Sequence, residues 1–168
     1  MEKYAQMFHR LAALPVVVVR PANAYGEGQR PFLGQGFIAT AVASIRQGLP
    51  ITVFGGDKIV RDYIHVDDVA SGIVAALDHG QFGGCYNVGS GIGHTTNAVL
   101  SMITDLANAE GLPVNVINKP SRPFDVQANV LDCGKLRNDS GWRSRVELPE
   151  GIQRLWHWSR NNSPIQVS

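Results

Sequence analysis

Two arginines, an asparagine and an aspartate carry most of the chemical promise of this sequence. Asn23 stands in "VVVVRPANAYGEGQ", just past the end of an apolar run, where open α/β sheets take ligands. Arg61 in "KIVRDYIHV" is followed at once by Asp62, and Arg122 precedes Asp125 in "PSRPFDV", a loop stiffened by Pro120 and Pro123. A guanidinium is a planar, permanently charged fork that grips anionic oxygens in pairs, and a carboxylate accepts hydroxyl protons. Each residue also has a plainer reading. Asn23 can tie up its own turn, Arg61 and Asp62 can form a surface ion pair worth little, and the prolines can simply fix a loop. Taken one at a time, the plainer readings lead.

Other chemistries find less support. Gly34-x-Gly36-x-x-Ala39 mimics a dinucleotide fingerprint, with Asp57 about twenty residues on. Its context fails, because a loop rather than a strand feeds the glycines and Asp57 falls in a turn. Cys85 and Cys133 are isolated, as reduced thiols of a cytoplasmic protein would be, and the five histidines lack the pairing of a helical metal site. Strand position and helix capping account for His65 and Asp67. The formal charge of +1 offers no footprint for nucleic acid or anionic membrane, and Arg137, Arg143 and Arg145 read as solvated surface. No apolar run approaches membrane-spanning length, and "MEKYAQMF" is not a signal peptide.

The elements that must hold these residues alternate between strand and helix, which argues an α/β fold; the 168 residues suit one compact unit spanning residues 1–168. Tyr4, Met7, Phe8 and Leu11 recur with helical spacing, so the chain opens on an amphipathic helix that Pro15 ends. Val16 to Val19 are β-branched without alternation, as in a parallel strand covered on both faces. Loop follows to Gly36, then a helix "FIATAVASIRQG", a strand "ITVF", a turn "GGDK" and a strand "RDYIHV". Asp67 or Asp68 should cap the helix "VASGIVAALDHG". A strand "CYNVG" leads to a helix capped by Thr95 or Thr96. A strand at Val114 to Ile117, an extended "DVQANVLD" and a helix from Pro149 to about Asn161 complete the reading.

Six segments taken in order change the balance between plain and functional readings. "RPANAYGEGQ", "ITVFGGDKIVRDYIHVDDVASGI", "GCYNVGSG", "SRPFDV", "LDCGKLRNDSGW" and "LPEGIQRLWHW" resemble the C-terminal half of the extended short-chain dehydrogenase/reductase family. The group meant is the NAD-dependent nucleotide-sugar epimerases and dehydratases, typified by UDP-glucose 4-epimerase, and the resemblance runs from Glu2 to Trp158. It implies the C-terminal part of a Rossmann-like fold: the last parallel strands plus a small mixed α/β substrate-binding region, without the N-terminal dinucleotide-binding half. It also implies roles. Asn23 matches the asparagine on the substrate's diphosphate, Arg61 and Arg122 the arginines that clamp it, and Asp125 the carboxylate on the ribose hydroxyls. Thr52 and Phe54 match the strand that holds the base, and Phe37 lies where backbone runs along the nucleotide. Pro21, with Tyr25 close by, lies in the turn that passes the nicotinamide end of NAD. The implied ligand is a UDP- or dTDP-sugar, and the residue types suit it, with forks for a diphosphate, an acceptor for a diol and an aromatic wall for a base.

The chain departs from the family at Phe124, where glycine is usual, at Ser140, where leucine is usual, in "WRSR", which lacks the usual proline, and at Gly36, where many members carry asparagine. The resemblance also implies a Tyr-x-x-x-Lys pair, but Phe8, Gln29, Asp67 and Ser90 follow four residues after Tyr4, Tyr25, Tyr63 and Tyr86. The Gly-x-x-Gly-x-x-Gly turn for the NAD pyrophosphate is likewise not among these residues. The pair would lie just before "EKY", so hydride transfer and NAD binding by these residues alone are not expected. The family expectation is an isomerase or lyase of which this is the nucleotide-sugar-binding part. The alternative is a truncated relic kept as an oligomerising structural or interaction protein.

The valine strand supplies a further expectation. Stripping cover from four valines forfeits about 6–12 kcal/mol at roughly 1.5–3 kcal/mol each, which rivals a domain's net stability of about 5–15 kcal/mol. Self-association, or a partner chain, should therefore cover the Val16–Val19 strand.

Overall fold

The computed structural model describes residues 1–162. The chain opens on helix α1 (Glu2–Ala12) and runs through β1 (Val18–Pro21), β2 (Asn23–Tyr25), α2 (Phe37–Arg46) and β3 (Ile51–Phe54). A 3-10 turn (Gly56–Lys58) leads to β4 (Val60–His65), α3 (Val66–His79), β5 (Cys85–Val88) and β6 (Gly93–Thr95). Then come α4 (Thr96–Ala109), β7 (Val116–Lys119), β8 (Ala128–Asn129), α5 (Gly134–Ser140) and α6 (Leu148–Asn161). Parallel pairs β1–β5, β2–β4 and β3–β7 form the α/β scaffold, while β6 runs antiparallel to β4 and β8 pairs β4 in parallel.

Two apolar clusters hold these layers. The larger joins Ile38, Val42 and Ile45 of α2 to Val99 and Ile103 of α4 and to Ile152, Leu155 and Trp156 of α6, with Ile51 and Val53 of β3. The smaller joins Ile64, Tyr86 and Val88 to Ala76 of α3 and Leu136 of α5. A charged clasp locks the larger cluster where Glu110, at the end of α4, receives Arg46, Arg160 and the Trp156 indole N–H. Arg46 also lies over the Trp156 ring, 3.9 Å from its centroid.

Several sequence expectations need correction. The first strand runs from Val18 to Pro21, and Val16 to Val19 are half-covered rather than buried, because among the described residues β1 pairs with β5 alone and its other edge is open. Asn23 begins strand β2 instead of sitting in a loop, since it pairs in register with Tyr63. The α3 cap is His65, whose Nδ1 accepts from Asp67 N at 3.3 Å. Asp68 is buried instead, and it accepts from the backbone N–H groups of Arg145 and Val146. Asp62 makes no surface pair with Arg61. It is buried and accepts from Ser90 N, Ser90 Oγ, Gly91 N and Leu131 N, pinning the β5–β6 turn. Helix α1 stops at Ala13, which turns left-handed at φ 52°, before Pro15 is reached. Helix α5 has a single buried apolar residue, Leu136, and so shows no periodicity in the sequence.

Arg137 and Arg143 line a second cavity of about 610 Å³ beside the β5–β6 turn, with Trp142 and Cys133. Among the described residues no helix is long and apolar enough to cross a membrane, and no group of His, Cys, Asp or Glu is placed to hold a metal ion.

Candidate functional site

A cavity of about 660 Å³ opens between β2, β4, the start of α2 and the loop after β7. That is within the usual range for a small-molecule site. Strand alternation decides what faces it. Along β4, Arg61 and Tyr63 line the cavity, while Asp62 turns to the β5–β6 loop and Ile64 to the smaller core. Along β3, Thr52 and Phe54 line the cavity and Ile51 and Val53 enter the larger core. Parallel pairing of β2 with β4 sets Asn23 beside Tyr63 on the same wall.

The loop after β7 closes the far side. Arg122 Nη2 meets Asp125 Oδ1 at 3.1 Å, Arg122 Nε donates to Asp125 Oδ2 at 3.2 Å, and the Arg122 backbone N–H reaches that same oxygen. The Arg122 hydrogen bond holds the Asp125 carboxyl below the usual range. The Arg122 guanidinium lies 4.9 Å from the Phe54 ring centroid and 5.2 Å from that of Phe124. Phe124, the departure from the usual glycine, thus gives Arg122 a second aromatic face. Arg61 donates to the carbonyl of its neighbour Val60, and no carboxylate lies within ion-pair distance of it among the described residues. Arg61 is thus left available to a ligand, whereas Arg122 is held by its pair with Asp125.

Seven residues singled out from the sequence, Asn23, Phe37, Thr52, Phe54, Arg61, Arg122 and Asp125, come together in this one lining. The two assigned to a nicotinamide do not join them in the same way. Pro21 is exposed at the end of β1 and lies outside the lining. Tyr25 contributes to the wall but is only 3% exposed. Its hydroxyl donates to Leu148 O at 3.5 Å, and burial pushes its phenol pKa upward. Gly151 lets it in, because a Cβ there would stand 2.2 Å from the Tyr25 hydroxyl. The Gly34–Gly36 segment enters α2 from a loop, as its sequence context suggested, so no strand aims its N–H groups at a pyrophosphate. The Gly34–Gly36 segment thus lacks the strand-fed turn of a dinucleotide fingerprint.

Tyr63, Gln29, Gln35 and Thr96 also line the cavity and were not singled out. Tyr63 was within reach of the alternation argument, two residues along from Arg61. Nothing local marks Gln29, which the turn after β2 carries back to the wall. Beneath this wall His65, fully buried, meets Glu27 at 3.0 Å, and Arg154 reaches both Glu27 and Asp67, so α6 is tied to the β2–α2 loop.

The family model described as "NAD dependent epimerase/dehydratase family" matches residues 1–89, more than half the chain. The chain belongs to that family. It is 33% identical over 162 residues to a UDP-glucose 4-epimerase of Mycolicibacterium smegmatis, covering 96% of this chain and 51% of the relative. It is also 33% identical over 159 residues to a dTDP-glucose 4,6-dehydratase of an Actinoplanes species, covering 94% of this chain and 48% of the relative. A solved UDP-glucose 4-epimerase from Thermotoga maritima with UDP-glucose superposes with a TM-score of 0.86 at 31% identity, over 95% of this chain and 50% of that one. The chain thus spans about half the length of the curated relatives it matches. Its fold is the part of the Rossmann-like family architecture seen in those structures, and the recognition made from six sequence segments holds.

Proposed function

We propose that this family member is the nucleotide-sugar-binding part of an epimerase or dehydratase, with the cavity between β2, β4 and α2 as its grip. The observation that carries this reading is the convergence of Arg61, Arg122, Asp125, Asn23, Thr52 and Phe54 on one wall-to-wall lining. Arg61 and Arg122 meet the two negative charges of a diphosphate with planar forks. On binding, Arg122 exchanges its exposed pairing with Asp125 for the phosphate oxygens, which frees that carboxylate to accept the ribose hydroxyls. Phe54 with Thr52 supplies the wall for the base, and Asn23 a donor beside the diphosphate. The Thermotoga maritima UDP-glucose 4-epimerase solved with UDP-glucose shares this fold and supports the choice of ligand class.

Hydride transfer needs groups that these 168 residues do not carry, since no tyrosine is followed four positions on by lysine. NAD and the acid–base pair therefore belong to the remaining half of the catalytic unit, against which the described residues pack as one compact unit. The half-covered valines of β1 and the exposed Tyr4, Phe8 and Leu11 of α1 form the face through which a second copy or a partner chain attaches.

Calorimetric titration with UDP, UDP-glucose, dTDP-glucose and NAD, wild type beside Arg61→Ala, tests the grip. The expected result is binding of the nucleotides but not of NAD, weakened at least ten-fold by Arg61→Ala, as for a charged hydrogen bond of about 1.5–3 kcal/mol. Silence toward all four ligands would leave the oligomerising relic as the better account.

A further inference from the structure

Arg137 and Arg143, which the sequence offers only as solvated surface, share the second cavity, of about 610 Å³, with Trp142. Its place in the fold matches that of the first cavity. Strands β1 and β5 run parallel. Ala22, next after β1, lines the first cavity, and Gly89, next after β5, lines the second. Both therefore open at the carboxyl ends of parallel strands, where open α/β sheets take ligands.

The wall after β5 is firmly held. Buried Asp62 accepts from Ser90 N at 3.0 Å, Ser90 Oγ at 2.6 Å and Gly91 N at 3.1 Å. A Cβ at position 89 would stand 2.5 Å from Asp62 Oδ2, so glycine lets the turn settle onto that carboxylate. These turn donors are spent on Asp62, which leaves the two guanidiniums as the cavity's charged donors. Arg20, Arg46, Arg122, Arg154 and Arg160 each have a carboxylate partner, whereas among the described residues Arg137 and Arg143 have none within ion-pair distance. The carboxylate in the lining, Asp132, has Oδ1 occupied by Gly134 N at 2.7 Å. Burial pushes the Cys133 thiol up, so no thiolate adds to the negative charge or offers a nucleophile. Trp142 spends its indole N–H on Ser71 Oγ at 3.0 Å, so what it adds to the lining is an apolar ring.

We propose that this cavity is a second ligand site, which takes the phosphate of a small phosphomonoester on Arg137 and Arg143 and rests its organic part on Trp142. A phosphomonoester carries nearly two negative charges at neutral pH, and guanidinium forks pair with its oxygens in bidentate fashion. A cation would meet the wrong sign of charge, and a neutral ligand would leave both arginines unused. The site stands apart from the cavity that holds Arg61 and Arg122, and it does not depend on what that cavity binds.

The test follows the Trp142 indole N–H by nitrogen-15 NMR while the chain is titrated with glucose 1-phosphate, inorganic phosphate or chloride. Glucose 1-phosphate should move the resonance saturably, at least ten-fold more weakly in Arg137→Ala and in Arg143→Ala but within about two-fold of wild type in Arg61→Ala. All three substitutions are on the surface or in a cavity wall, and an unchanged spectrum elsewhere verifies the fold of each variant. Inorganic phosphate should saturate the same shift at higher concentration, because it has nothing to lay on the indole. Equal affinity for phosphate and the ester would remove Trp142 from the site and overturn the proposal as stated. A response no different from that of chloride, or one lost in Arg61→Ala and kept in Arg143→Ala, would overturn it altogether.

Discussion

Around Trp156, Ile152 and Leu155, helices α2, α4 and α6 close over a core whose large side chains are fully buried, and three arginine or indole donors clamp its edge at Glu110. Around Tyr86 and Val88 the packing is one-sided. Among the described residues strand β1 has one neighbour, α1 buries none of its residues, and Ile73, Val74 and Leu77 of α3 face outward. Both regions are built from ordinary amphipathic elements, so the difference lies in what covers them. The cavity draws its walls from β2, β3 and β4 and from α2, all braced by the closed core. The open region is the flank of a parallel sheet, the kind of surface that in an α/β protein meets more strands and helices.

The sharpest way to break this comparison is a matched pair of truncations. Ile152→Ala, in the closed core, should cost about 2–5 kcal/mol, whereas Leu11→Ala, 76% exposed on α1, should stay within about 0.5 kcal/mol. Chemical denaturation measures both, and similar costs would mean that α1 is already covered in solution. Next in size is the effect on association. Phe8→Glu with Leu11→Glu places charge on the open face and should convert an associating species to a monomer in sedimentation experiments. A wild-type chain already monomeric at micromolar concentration would contradict the proposed attachment face.

The smallest effect sharpens the closed side. Hydrogen bonds from Arg46, then Trp156 and Arg160, hold the Glu110 carboxyl down at about 2 against an ordinary value of 4.5. A depressed carboxylate pKa stabilises the fold fully above its unfolded value, and that stabilisation is lost as pH falls through the folded one. The melting-temperature gap between wild type and Glu110→Gln should therefore be widest at neutral pH and shrink from pH 4.5 toward 2. A gap independent of pH would assign the clasp to shape rather than charge.

Much of this was legible in the sequence, because it depends on local pattern. Helical spacing, β-branched runs and helix-ending glycines locate most of the elements, and ordered motifs over the chain mark the family and the residues that line the cavity. Where local reading failed, a distant partner decided. Asp67 and Asp68 look like caps until His65 takes that place, held from below by Glu27. Asp62 looks like the mate of Arg61 until alternation along β4 turns it to a loop that arrives about thirty residues later in the chain. Pairing with β4 makes a strand of Asn23–Tyr25, which Pro21 and Gly26 disguise as a loop.

The sequence by itself determined the residue types that can grip a phosphorylated sugar and their order along the chain, because charge, planarity and period are properties of residues and short runs. Only the tertiary structure decided that Arg122 rests on Phe54 and Phe124 while paired to Asp125, that Tyr25 is spent on the core, and that one carbonyl of Gln29 is left without a donor. Those outcomes depend on which segments meet across the cavity. Hydrogen-bond satisfaction is settled by three-dimensional neighbours that no local stretch of residues contains.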